Sequence, residues 1–151
     1  MIQREFQVTY REYAGIEELL PAQASLVGKA REIMAKAYSP YSGFSVGAAV
    51  LLDNGTVVTG NNQENAAYPS GLCAERTALF YANANYPDVP VVAIAISAAN
   101  VRGRVKEPVK PCGSCRQVIL ETEARFGRKI QLLLDGLNGI YLFDGIDNLL
   151  P

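Results

Sequence analysis

Between residues 21 and 37 apolar side chains recur at three- and four-residue steps: Ala22, Leu26, Val27, Ala30, Ile33, Met34 and Ala37. That spacing predicts a helix with one buried face. Pro21 suits its first turn, where a missing N–H has no partner to lose. Residues 46–52 are apolar on both faces, and 57–61 form a second short run. Asp53-Asn54-Gly55-Thr56 lies between them, so the two runs read as a hairpin. Residues 91–97 are almost continuously apolar between turn signals, which predicts a central strand buried on both faces. Helical spacing returns from Cys73 to about Asn83, and from Gly113 to about Phe126. Further strands are predicted over 129–134 and 139–143, with a loosely alternating edge strand over 5–13. A terminal helix is expected over 146–150. Residues 38–45, 62–71 and the charged stretch 100–110 read as loops.

A hairpin followed by helix, strand, helix and strand implies an α/β fold layered around a mixed sheet. There is no internal repeat or low-complexity linker, so the 151 residues are expected to form one domain, 1–151. Net charge is −1, and the basic residues are scattered. This excludes the basic footprint of a nucleic-acid binder and of a membrane-surface protein. No apolar run reaches the roughly 18 residues of a membrane span, and the first residues lack the layout of a secretory signal. Three cysteines are an odd number for a closed disulfide framework, so a reducing compartment, the cytoplasm, is expected.

The candidate chemistry lies in Cys73-Ala74-Glu75 and Pro111-Cys112-Gly113-Ser114-Cys115, which hold every cysteine in a chain without histidine. A metal here must be bound by sulfur, and a proton must be carried by a carboxylate. Cys112 and Cys115 offer two sulfurs from one turn, and Cys73 can supply a third. Catalytic zinc has three protein ligands and keeps a fourth position for water. Both segments stand where helices are predicted to begin, and free N–H groups there favour thiolates. Arg76 and Arg116 are the candidate cations for tempering thiolate charge. Glu75, two residues after Cys73, can be swung toward the open position and relay a proton. Taken alone, the C-x-x-C pair also fits a redox dithiol or a structural zinc clip, and three unrelated buried thiols would need no metal at all.

The two segments, extended to Cys73-Ala74-Glu75-Arg76 and Pro111-Cys112-Gly113-Ser114-Cys115-Arg116-Gln117, resemble those of the cytidine deaminases, in particular the small homotetrameric zinc type. Residues 41–49 look like that family's first substrate loop and strand, and 60–69 like its nucleoside-binding segment. The resemblance runs from about Pro21 to Asp135. It implies a three-layer α/β/α fold with a central five-stranded mixed sheet. It implies one zinc ion per chain, held by Cys73, Cys112 and Cys115, with Arg76 and Gln117 behind the ligands and Arg76 hydrogen-bonded to the sulfurs. Glu75 would be the proton shuttle and would hold the pyrimidine through N3 and the amino group. Phe44 would pack on the base, Asn62 and Glu64 would hold the ribose 3′-hydroxyl, and backbone at Cys73 and Ala74 would meet the pyrimidine carbonyl. Tyr68 would lie near a subunit boundary of a homotetramer with shared sites. The implied reaction is hydrolytic deamination of cytidine and 2′-deoxycytidine in pyrimidine salvage, on a small nucleoside and without nucleic acid or membrane. The rival readings are a deaminase of another aminopyrimidine nucleoside, such as blasticidin S, and a non-catalytic zinc module. Family members continue past a Leu-Leu-Pro like 149–151 with a phenylalanine that reaches a neighbouring site.

Overall fold

Strand β4 (Val91–Asn100) is the axis of the fold, and its run of buried residues lies at the centre of the sheet. The computed structural model describes residues 1–150. On one side β4 pairs antiparallel with β2 (Ser45–Leu52), which pairs with β3 (Val57–Asn61). On the other side it pairs parallel with β6 (Gln131–Asp135), which pairs antiparallel with β7 (Ile140–Asp144). These five strands are the sheet expected from the resemblance. Two short strands extend it to seven: β1 (Arg11–Tyr13) on the outer edge of β7, and β5 (Gly103–Arg104) folded back on the end of β4. The five-strand expectation is corrected accordingly.

The hairpin forms as its sequence predicts. Gly55 takes φ +84°, and Asn54 Oδ1 accepts the Thr56 N–H at 3.0 Å, which sets Leu51 opposite Val57. Helix α1 (Pro21–Met34) covers one face of the sheet with Leu26, Val27 and Ala30 against Ala49, Ala95 and Leu133. Helices α2 (Ala74–Asn85) and α3 (Gly113–Phe126) cover the other, with Ala78, Leu79 and Ile119 against Val50, Ile94 and Leu132. The three-layer architecture is therefore present, with both faces of the central strands dry.

α1 ends three residues earlier than its apolar spacing suggests. Tyr38 pairs with the chain after β3, donating to Asn62 O at 3.0 Å and accepting from the Glu64 N–H at 2.8 Å. The chain must leave the helix to reach that position. The predicted 5–13 strand shrinks to Arg11–Tyr13, and Tyr10 instead stacks on Phe143 and Tyr141 with centroids 5.1 and 4.9 Å away. The predicted terminal helix is a single 3₁₀ turn, Ile146–Asn148.

Gly47 lies where α1 crosses β2. A Cβ there would stand 2.2 Å from Ala30 O and 2.6 Å from Met34 N, both backbone atoms that cannot rotate away. Overpacking of this kind costs about 1–3 kcal/mol. Gly47→Ala is therefore expected to lower the thermal midpoint by roughly 5–10 °C in a calorimetric scan.

Candidate active site

Two helix N-termini, those of α2 and α3, meet on one face of the sheet. Cys73 is the residue that caps α2, Cys112 caps α3, and Cys115 lies in the first turn of α3. A loop leads from β3 to the start of α2 and another from β5 to the start of α3, and the packing of the two helices brings the distant cysteines together. The sulfur of Cys112 lies 3.8 Å from that of Cys73 and 3.3 Å from that of Cys115. All three lie within 4.8 Å of one another. Exposure is graded, with Cys115 buried, Cys73 half-buried and Cys112 open to solvent.

The donor set fits zinc. A tetrahedral ion with metal–sulfur bonds of about 2.3 Å separates its sulfurs by about 3.8 Å, the Cys73–Cys112 spacing. Three soft thiolates select zinc over hard oxygen-seeking ions. They leave one net negative charge on a divalent metal, and a cation stands ready for it. Arg76 Nη2 donates to Cys73 Sγ at 3.5 Å, and the buried Arg76 Nε has no hydrogen-bond partner among the described residues. Arg116 does different work from that expected. Its Nε donates to Pro111 O at 2.8 Å and its Nη1 to Leu149 O at 2.6 Å, which braces the cysteine loop against the end of the chain. Gln117 is exposed and makes no side-chain hydrogen bond to the sulfurs among the described residues.

The side chains hold one another's charge states. A hydrogen bond from Cys115 holds the Cys73 thiol down at about 5, with Arg76 and Cys112 acting in the same direction against burial. The same pairing, together with burial and the charge of Glu75, pushes Cys115 up. Glu75 is 5% exposed and lies in the first turn of α2. Burial raises its carboxyl to about 7, and the charge of Cys73 adds to that. A carboxyl so placed exchanges protons near neutral pH.

The loops expected to meet a substrate converge on the same edge. Gln63 and Leu72 exchange backbone hydrogen bonds of 2.9 Å in both directions, which seats 62–64 next to Cys73. Tyr38 binds the other side of 62–64 and brings the 38–45 loop alongside. Asn62 and Glu64 hold that loop in shape. Asn62 Oδ1 accepts the Val46 N–H at 2.7 Å, and its Nδ2 donates to Phe44 O at 2.9 Å. Glu64 Oε2 accepts the N–H groups of Tyr41 and Ser42 at 2.9 and 3.3 Å, and the Ser42 side chain, followed by these backbone groups, lowers its pKa. Their spacing in the sequence carries no sign of this bracing. The Asn62 amide keeps one N–H and one lone pair for another partner. Phe44 is half-buried and Ala74 fully buried. Tyr68 is 91% exposed.

Comparison with known proteins agrees with this geometry. The family model described as the cytidine and deoxycytidylate deaminase zinc-binding region matches residues 21–128, a span that holds all three cysteines. A cytidine deaminase of Halalkalibacterium halodurans is 49% identical over 96 residues, 64% of this chain and 68% of that protein. One of Mycobacterium tuberculosis is 44% identical over 96 residues, again 64% and 68%. The crystal structure of cytidine deaminase from Burkholderia pseudomallei superposes with a TM-score of 0.70 at 37% identity, covering 82% of this chain and 93% of that one. The Mycobacterium tuberculosis structure gives 0.61 at 35%, covering 85% and 94%.

Proposed function

The chain belongs to the cytidine and deoxycytidylate deaminase family, and on that premise we propose that it hydrolyses cytidine and 2′-deoxycytidine to uridine and 2′-deoxyuridine, releasing ammonia. The observation that carries the reading is the convergence of three sulfurs beside one buried carboxylate. Cys73, Cys112 and Cys115 would hold the zinc. Bound there, zinc supplies a Lewis acid that lowers the pKa of water at its open position.

Glu75 is the proton carrier. Held by α2 and screened from bulk solvent, its carboxylate accepts a proton from the attacking water and passes it to N3 of the pyrimidine. It then moves the second proton of that water to the exocyclic amino group, so the bond from C4 to that nitrogen breaks, ammonia leaves, and C4 keeps the oxygen as a carbonyl. The Ala74 backbone meets the pyrimidine carbonyl at the start of α2, where free N–H groups point outward. Phe44 packs on the base. Asn62 and Glu64, already bracing the substrate loop, meet the ribose hydroxyl with their remaining capacity. Arg76 stabilises the thiolates, and Gln117 stands at the rim of the ligand helix.

One domain spans the chain, and four copies assemble with sites completed by neighbours. Support for assembly comes from Tyr68, Phe80 and Tyr81, aromatic side chains left exposed before and along α2. Such surface is usually covered by a partner. Three unbridged cysteines support a reducing cytoplasm, and no helix among the described residues is long and apolar enough to cross a membrane.

The deciding experiment is an ultraviolet deamination assay on purified protein, with zinc measured in the same sample. About one zinc per chain is expected, with turnover of both nucleosides. Free cytosine should lose at least about a hundredfold in kcat/KM, because polar groups built for a sugar hydroxyl are left unpaired. Absence of nucleoside turnover in zinc-loaded protein would refute the reading.

A further inference from the structure

Cys112 and Cys115 are delivered by the stretch that follows β5, and that stretch rests on the turn between β6 and β7. The Leu137 N–H donates to Val105 O and the Asn138 N–H to Lys106 O, both at 3.0 Å. Asn138 Nδ2 donates to Glu107 Oε1 at 2.6 Å, and the Tyr141 hydroxyl donates to Glu107 Oε2 at 3.3 Å. Gly136 is packed beneath. A Cβ there would stand 2.5 Å from Lys106 O and 2.8 Å from both N and Cδ of Pro108.

The turn is a firm seat. Asp135, just before it, is 1% exposed and accepts two hydrogen bonds from Arg31 of α1, at 2.9 and 2.7 Å. It accepts two more from Arg104, at 3.0 and 3.2 Å, and one from the Ser97 hydroxyl. Arg104 also donates to Gly136 O at 3.2 Å. One buried carboxylate thus ties α1, β4, β5 and β6 together under the turn. Breaking such a network is strongly unfavourable, so the turn has little freedom to yield.

The stretch above it is restrained at both ends. Pro108 and Pro111 have fixed φ, and Pro111 O is held by Arg116. Only Val109 and Lys110 lie between the two prolines, so a displacement at Pro108 has a short path to Cys112.

We propose that the β6–β7 turn is a positioning device for the metal centre. Gly136, backed by the Asp135 ion-pair cluster, sets where Cys112 and Cys115 stand by fixing residues 106–108. The proposal rests on the three cysteines being the zinc ligands. Gly136 has no left-handed φ, so Gly136→Ala perturbs packing and not backbone preference.

The test measures zinc release from the holoenzyme to a chromophoric chelator, as equilibrium affinity and as rate, with thermal midpoints of the same samples. Gly136→Ala is expected to weaken zinc affinity about tenfold or more, the range seen when groups orienting metal ligands are lost. Asn138→Ala, a change at the exposed surface that leaves the core intact, is expected to release zinc about threefold faster. Leu26→Ala is the control, because it opens a cavity under α1 away from the cysteines. It should lower the midpoint without moving zinc affinity. A zinc affinity of Gly136→Ala, or a zinc release rate of Asn138→Ala, that equals wild type or shifts no more than in Leu26→Ala overturns the proposal. Wild-type protein that takes up no zinc overturns the ligand assignment, and the proposal with it.

Discussion

Glu75→Gln protein is expected to keep its zinc and its fold and to lose about three orders of magnitude in kcat, in the middle of the range a positioned acid–base group contributes. The substitution preserves shape in a site that is 5% exposed, so packing around α2 is unchanged. The amide can still donate and accept hydrogen bonds to a pyrimidine, but it cannot take a proton from water or return one. Binding should therefore survive better than turnover, leaving KM within a few-fold of wild type while kcat collapses. The fold gives a second readout. Burial raises the Glu75 carboxyl to about 7, above its value in an unfolded chain. Folding therefore opposes its ionisation, and its contribution to stability is largest at low pH and falls as pH rises toward 7. A neutral amide carries no such penalty, so with both proteins stripped of zinc the thermal midpoint of Glu75→Gln at pH 8 should be no lower than wild type. Lost activity with lost zinc would mean the side chain holds the metal centre together. Near-normal kcat would remove Glu75 from the chemistry.

The parts of this molecule that could be read from its sequence are those whose causes are local. The hairpin was legible because Asn54-Gly55 dictates a turn by itself. β4 was legible because a strand with helices on both faces must be apolar throughout. The metal centre was legible because sulfur ligands are few and helix starts are recognisable. What escaped depends on residues far apart in the chain. Asp135 draws on Arg31, Ser97 and Arg104, and the nearest of these is 31 residues away from it in sequence. The resemblance implies that Asn62 and Glu64 meet the ribose, and only the fold shows that they brace residues 41–46. Arg116 closes a cysteine segment as Arg76 does, yet it turns toward carbonyl oxygens, those of Pro111 and Leu149. β1 and β5 have three and two residues, too few to show a period, and they exist because an open sheet edge is available to pair with.

Cys112→Ser separates metal binding from folding more cleanly than any other change at the centre. Cys115 is fully buried, so altering it disturbs the core between α2 and α3, whereas Cys112 is solvent-exposed. Cys112 also caps α3, a position where serine is among the preferred residues. The helix itself should thus be as stable as before, or more so. The metal is affected differently. A hydroxyl gives up its proton far less readily than a thiol and is a harder ligand, so zinc would be held by two sulfurs and a poor oxygen donor. Groups that merely orient ligands are worth 10–100-fold in affinity, and a direct ligand exceeds that, so a loss of at least about a hundredfold is expected. The purified variant should contain little zinc by elemental analysis and show no deamination, with far-ultraviolet circular dichroism matching wild type. Its thermal midpoint should fall, because zinc bridging α2 and α3 stabilises the fold through binding. It should also stop rising when zinc is added at concentrations that saturate the wild type. A Cys112→Ser protein with a full complement of zinc would show that the three sulfurs do not share one ion.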